Sequence, residues 1–163
     1  MTSRMSRVTS LLLLLLVPLV AWSQELTGRV VRVIDGDTLV VLDASSTQHK
    51  IRLSGIDCPE RRQPWSTRAK QALSDQVFDR QVTLDWKKRD RYKRIVGKIL
   101  HGQQDVNLTL VRDGMCWWYS KYAKEQNALD RVLYAEAEEE ARGKRRGLWS
   151  DPEPVPPWEW RRR

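Results

Sequence analysis

Residues 28–42, GRVVRVIDGDTLVVL, set two β-branched runs on either side of Asp35-Gly36-Asp37. Valine and isoleucine are stiff at χ1 and suit a pleated strand, and Asp-Gly is a strong turn signal. The stretch therefore reads as two strands meeting at a tight turn. Such a turn uses one Asp-Gly pair. It gives Asp37 no local task, and that carboxylate becomes the first candidate for holding a ligand.

The rest of the chain extends the β pattern. Gln48–Leu53 alternates with period two, with Ile51 and Leu53 on one face and Arg52 on the other, toward water or a site. QVTLDW and RIVGKIL supply two more strands, separated by a basic loop, KKRDRYK. A helix is expected from an N-cap at Ser66 or Thr67 to Phe78, with Ala69, Leu73 and Val77 at helical spacing. HGQQD reads as a turn, and VNLTLVRDG as a short helix stopped by Gly114. Residues 127–142 form a longer helix with Leu129, Val132, Leu133 and Ala137 on its apolar stripe. The proline-rich tail, residues 151–163, is assigned to neither helix nor sheet, with Trp158 and Trp160 anchoring it to the domain. Five short strands, one helix after the third and others at the end predict an α+β domain over residues 24–150. The expected architecture is an OB-type five-stranded Greek-key β-barrel with about three packed helices.

The N-terminus reads as a targeting segment. Arg4 and Arg7 precede an apolar run, Leu11–Trp22, that ends in Ala-Trp-Ser, so residues 1–23 are expected to be a cleaved signal peptide. The alternative is an uncleaved anchor, for which the run falls short of the roughly 20 residues a spanning helix needs. The expectation is an exported chain, periplasmic or extracellular, with no stable membrane anchor after cleavage. Removing the two arginines leaves 27 basic against 21 acidic residues, a net charge of +6. That balance suits a polyanionic partner, nucleic acid among them, and equally suits simple solubility. Two cysteines, Cys58 and Cys116, permit one disulfide in an oxidising compartment. His49 and His101 lie far apart, so zinc chemistry is not indicated.

Three charged clusters remain: Asp35 with Asp37; Arg52, Asp57 and Glu60 in RLSGIDCPE; and Asp90, Arg91, Tyr92 and Arg94 in DRYKR. Carboxylates without histidine or thiolate make a hard, all-oxygen site suited to Ca²⁺ or Mg²⁺. Arginines grip phosphate with forked donors and stabilise charge building on phosphorus. Together they point to water attacking a phosphodiester, with Glu60 as candidate base. Taken singly, each cluster is equally readable as a turn, a polar loop or a solvated basic loop.

The runs VIDGDT, IRLSGIDCPE, DRYKR, VNLTLVRDGMCW and RGLW, in this order from Thr27 to Trp149, resemble the staphylococcal (micrococcal) nuclease, or thermonuclease-like, family. The resemblance implies a Ca²⁺-dependent nuclease that cuts DNA and RNA to 3′-phosphate products. The expected substrates are single strands or frayed duplex, and the expected state is a monomer. The resemblance also implies that Asp37 and Asp57 ligate Ca²⁺ through their carboxylates and Cys58 through its backbone carbonyl, with Asp35 beside the metal site. Arg52 and Arg94 would bind the scissile phosphate, and Glu60 stands where the family's general base is placed. Arg91, Tyr92 and one of Tyr119 or Tyr122 would contact the nucleotide. Cys116 follows the short helix that relatives pack near this rim, so a Cys58–Cys116 disulfide is expected. Of Trp117 and Trp118, at least one is expected in the core, although stacking on bases is the other use for such a pair. Lys93 stands where many relatives have glycine; a residue with a Cβ is penalised at positive φ, which raises the expectation of a differently shaped loop before Arg94. The reading from a different class is a non-catalytic nucleic-acid-binding OB module, whose mark would be loss of these side chains.

Overall fold

The computed structural model describes residues 24–163; the signal peptide expected over residues 1–23 lies outside the described residues. In chain order the elements are β1 (Gln24–Val33), β2 (Thr38–Asp43), β3 (Gln48–Leu53), β4 (Ile56–Asp57), α1 (Ser66–Val77), β5 (Gln81–Arg89), β6 (Ile95–His101), β7 (Gln104–Asp105), α2 (Val106–Arg112), β8 (Trp117–Trp118), α3 (Ala128–Gly143) and α4 (Pro157–Trp160). Strand β1 pairs antiparallel with β2 and β5, β2 with β3, and β5 with β6. A parallel pairing of β3 with β6, Ile51 opposite Ile95, closes these five strands into a mixed barrel. This is the α+β, OB-type barrel the sequence predicts. A shift of register in β1 between Val30 and Arg32 marks a bulge, the device that lets one strand curl between two neighbours.

The alternating faces of the strands fill the interior. Val30, Leu39, Val41, Ile51, Leu53, Leu84, Ile95 and Ile99 form one cluster with Ala69, Leu73 and Val77 of α1 and Leu110 and Val111 of α2. Each such aliphatic side chain contributes roughly 1.5–3 kcal/mol on burial, so the helices are held mainly by this contact.

Four local expectations give way to tertiary structure. Neither Ser66 nor Thr67 caps α1; Trp65 holds the capping position at φ 72° without a side-chain hydrogen bond. Its ring packs on a second apolar cluster containing Trp117 and Trp149, and that contact fixes the entry of the helix. Lys87, Lys88 and Arg89 belong to β5 and not to a loop, because the ladder with β6 continues through Lys88↔Val96 and Arg89↔Ile95. In α3 three of the four residues of the expected apolar stripe are turned outward, Leu129 at 66%, Val132 at 52% and Leu133 at 36% exposed, while the fourth, Ala137, is buried with Tyr134 and Ala141. The Tyr134 hydroxyl donates to both oxygens of Asp105 at 3.0 and 2.9 Å, and this polar anchor at the start of α2 sets the rotation of α3. Finally, the tail carries α4, started by the buried Pro157, whose missing N–H and fixed φ suit the first helical position.

Cys58 and Cys116 are joined in a disulfide that ties the segment after β4 to the segment after α2. Its separation of 58 residues corresponds to about 4 kcal/mol in the chain-entropy treatment. Reduction is expected to lower the unfolding free energy by about that amount. Denaturant curves with and without reductant check it, and coincident midpoints would refute a stabilising bond. Among the described residues no helix is long and apolar enough to cross a membrane.

Candidate active site

The β1–β2 turn is closed by Ile34 and Asp35 amides donating to the Thr38 carbonyl at 2.8 and 3.3 Å. At Gly36 an added Cβ would meet Cys58 Cβ at 2.8 Å and Ala69 Cβ at 2.9 Å. Glycine therefore lets the turn lie against the disulfide and α1, which brings Asp37 inward. The Asp37 amide donates to Asp35 Oδ1 at 3.1 Å, and the Cys58 amide donates to Asp37 Oδ2 at 2.9 Å. Asp37 is 7% and Asp57 1% exposed.

Arg52 lies between them. Its Nη1 donates to the carbonyls of Leu53 (2.7 Å) and Ile56 (3.0 Å). Its Nη2 stands 3.0 Å from Asp57 Oδ1 and 3.2 Å from Asp37 Oδ2. Two buried carboxylates thus share one nitrogen. The Asp37 carboxyl is raised from 3.8 to about 7: burial is the largest cause, Arg52 and the Cys58 amide oppose it, and Asp35 and Asp57 add to it.

The β5–β6 turn presents the other arginine. The Asp90 carboxylate accepts from the amides of Tyr92 (2.9 Å) and Arg94 (3.0 Å) and from Arg94 Nε (2.7 Å). Burial alone would push Asp90 up; the bonds from Arg94 outweigh it and hold the carboxyl below its ordinary range. Lys93 takes φ 63°, the left-handed region where glycine is unstrained, so the turn accepts a strain of roughly 1–2 kcal/mol. With Nε on Asp90, neither Nη of Arg94 carries a hydrogen bond among the described residues. The guanidinium fork is free. The parallel β3–β6 register sets Ile51 beside Ile95, so Arg52 and Arg94 flank the start of one ladder.

Asp35, Asp37, Arg52, Asp57, Cys58, Glu60, Arg91, Tyr92, Arg94, Tyr119 and Tyr122 all line one cleft of about 1160 Å³. Arg91 and Arg94 lie 4.8 and 5.6 Å from the Tyr92 ring, and Tyr119 meets Tyr122 edge to face at 4.9 Å. Trp117 is buried, while Trp118 is half-buried against the main core. The cleft also contains a residue the sequence reading left in the tail. Arg161 contacts Asp57 through Nη2–Oδ2 at 2.7 Å and Nη1–Oδ1 at 3.2 Å, and Nη1 pairs with Glu60. No local pattern in the tail marks Arg161 as a site residue, because its partner Asp57 lies 104 residues earlier.

No group of three or more His, Cys, Asp or Glu stands at metal-binding spacing among the described residues. Even so, Asp37 and Asp57 converge on a single cationic nitrogen and offer only oxygen. That donor set fits a hard divalent cation with few protein ligands.

Residues 50–151 match the family described as Staphylococcal nuclease homologue. The chain belongs to that family. An uncharacterized endonuclease of Haemophilus influenzae is 38% identical over 99% of this chain and 88% of its own length. A micrococcal nuclease of Shigella flexneri is 39% identical over 96% of this chain and 91% of its own. The protein ParB of Escherichia coli is 43% identical over 97% and 91%. As a staphylococcal nuclease homologue the chain is a phosphodiester hydrolase. The matched span includes Arg52, Asp57, Glu60 and Arg94; Asp37 precedes it and Arg161 follows it.

Proposed function

We propose that this chain is an exported, Ca²⁺-dependent nuclease that hydrolyses DNA and RNA, as single strands or frayed duplex, to 3′-phosphate products. The observation that carries this reading is the pair of buried carboxylates, Asp37 and Asp57, meeting at Arg52 in a cleft that also holds Glu60 and the free fork of Arg94. Asp37, Asp57 and the Cys58 carbonyl would hold the cation, which supplies positive charge against the phosphate. Arg52 and Arg94 bind the non-bridging phosphate oxygens and stabilise the charge they gain. Glu60 takes a proton from the attacking water; the new P–O bond forms as the bond to the 5′-oxygen breaks. Arg91, Tyr92, Tyr119 and Tyr122 hold the flanking nucleotide by charge and stacking. The Cys58–Cys116 bond supports an oxidising destination, periplasm or medium, after removal of residues 1–23.

The test is purified protein with single-stranded DNA and RNA, in Ca²⁺ and then in excess chelator. Cleavage to 3′-phosphate ends that stops with the chelator is expected. Full activity in chelator would remove the Ca²⁺ dependence, and binding without cleavage would return the chain to a nucleic-acid-binding module.

A further inference from the structure

The C-terminal tail reaches this cleft at Arg161 and is tied down at three points. Gln63, itself buried, donates from Nε2 to the Val155 carbonyl at 2.6 Å while its Oε1 accepts from the Glu60 amide at 2.9 Å. Trp158 stacks on Tyr119, ring centroids 5.3 Å apart and planes within 6°, and meets Trp117 edge to face at 5.6 Å. Beyond them Arg161 lays its guanidinium across both oxygens of Asp57 and reaches Glu60.

The arrangement is a cation on carboxylates already assigned to a cation. Asp57 Oδ1 faces Arg52 and Arg161, and Oδ2 faces Arg161, so guanidinium N–H groups take both oxygens. A divalent ion on the same oxygens would stand within a few ångströms of two guanidinium charges beside a buried carboxylate, where like-charge repulsion is screened less than at the open surface. Arg161, which occupies both oxygens of Asp57, therefore competes with the ion for that carboxylate. The partners differ in burial as well: Asp57 has 2% of its side chain exposed and is fixed, while Arg161 has 41% exposed and is the member free to leave.

We infer that residues 157–161 are an intramolecular competitor for the divalent cation, so that cation binding and release of the tail are linked. The inference rests on the reading of Asp57 as a cation ligand. Linkage makes the effect reciprocal: the docked tail weakens cation binding by the same factor by which the cation weakens docking. Trp158 covers a face of Tyr119, so one movement uncovers both the carboxylates and an aromatic platform. A nucleic-acid strand would add to the shift, because its phosphates offer Arg161 and its neighbours partners outside the cleft.

Calorimetric titration of Ca²⁺ into the full protein, without nucleic acid, tests this. Arg161→Gln removes the charge at an exposed position and should bind Ca²⁺ at least about tenfold more tightly than wild type, within the usual range for coupled sites. Arg162→Gln, which alters a neighbouring tail charge, should stay within about twofold, and Asp57→Asn should lose binding. In the wild type, Ca²⁺ should speed hydrogen exchange in the peptide spanning residues 156–163. Equal affinity for wild type and Arg161→Gln, with Asp57→Asn still defective, would overturn the competition and leave the cation site standing. Weaker binding by Arg161→Gln would overturn it too, making Arg161 a support of the site. Absence of Ca²⁺ binding in wild type and Arg161→Gln alike would overturn the cation reading and the competition together.

Discussion

Replacing Asp37 with asparagine should remove most turnover and, at the same time, stabilise the metal-free fold at pH 8. Both effects come from one buried carboxylate. Burial lifts its pKa from 3.8 to about 7, so between those values the folded chain holds a proton that the unfolded chain has lost. The group's contribution is therefore fully present below about pH 4 and is lost as the pH rises through about 7. At 1.36 kcal/mol per pH unit this amounts to at most roughly 4 kcal/mol at pH 8. Asparagine has no such proton to lose and can still accept from the Cys58 amide. The measurement is a pair of denaturant titrations in chelator: wild type and variant should nearly coincide at pH 4 and separate at pH 8, with the variant the more stable. Coincidence at both pH values would mean that Asp37 is not desolvated. Wild-type turnover by the variant would reduce Asp37 to turn chemistry.

The arginines carry the second large effect. Arg52 donates to the Leu53 and Ile56 carbonyls and to Asp57 and pairs with Asp37, all through the two ends of one planar fork. A lysine ammonium is a single point and cannot reproduce that spread of donors, so Arg52→Lys keeps the charge and loses the fork that spans both carboxylates. Arg94 is anchored through Nε and keeps both Nη groups for a ligand; lysine there loses the Asp90 anchor and the fork together. Each variant should lower kcat at least about a hundredfold, the scale of one lost preorganised transition-state contact. Binding of the nucleic acid should change far less, because the cleft is also lined by Lys87, Lys88, Arg89 and Arg91. Single-turnover cleavage of a short oligonucleotide, with binding measured separately, distinguishes the two roles. Unchanged cleavage with weakened binding would reduce both residues to basic surface. Because Arg52 also braces buried groups, its variant should lose stability; the Arg94 variant should not, and is the cleaner test.

What could be read in the sequence was local or periodic. Asp37 betrayed itself as a carboxylate the turn did not need, and Arg52 as the polar member of an alternating strand. Ala69, Leu73 and Val77 followed a spacing that α1 obeys, and all three are fully buried. Periodicity failed where a tertiary contact chose between faces. Leu129, Val132 and Leu133 form as good a stripe as the buried one, and tertiary contacts, among them the bonds from Tyr134 to Asp105 and from the Trp118 amide to Glu138, decide which way α3 turns. Lys87–Arg89 looked like a loop because charged residues are poor strand formers, yet pairing with β6 overrides that preference. Arg161 was out of reach for another reason. Its partner Asp57 lies 104 residues earlier, and no local pattern links the two.

The parallel β3–β6 pairing has a kinetic consequence. It joins Ile51 to Ile95 across an intervening helix and two strands, a contact of high sequence separation whose loop-closure entropy must be met before any local gain repays it. Arg52 and Arg94 sit at the start of that pairing, so neither a hairpin fragment nor a half-assembled sheet brings them to one phosphate. Catalytic competence should then appear only with barrel closure, and a chain short of that step would carry every site residue and no site.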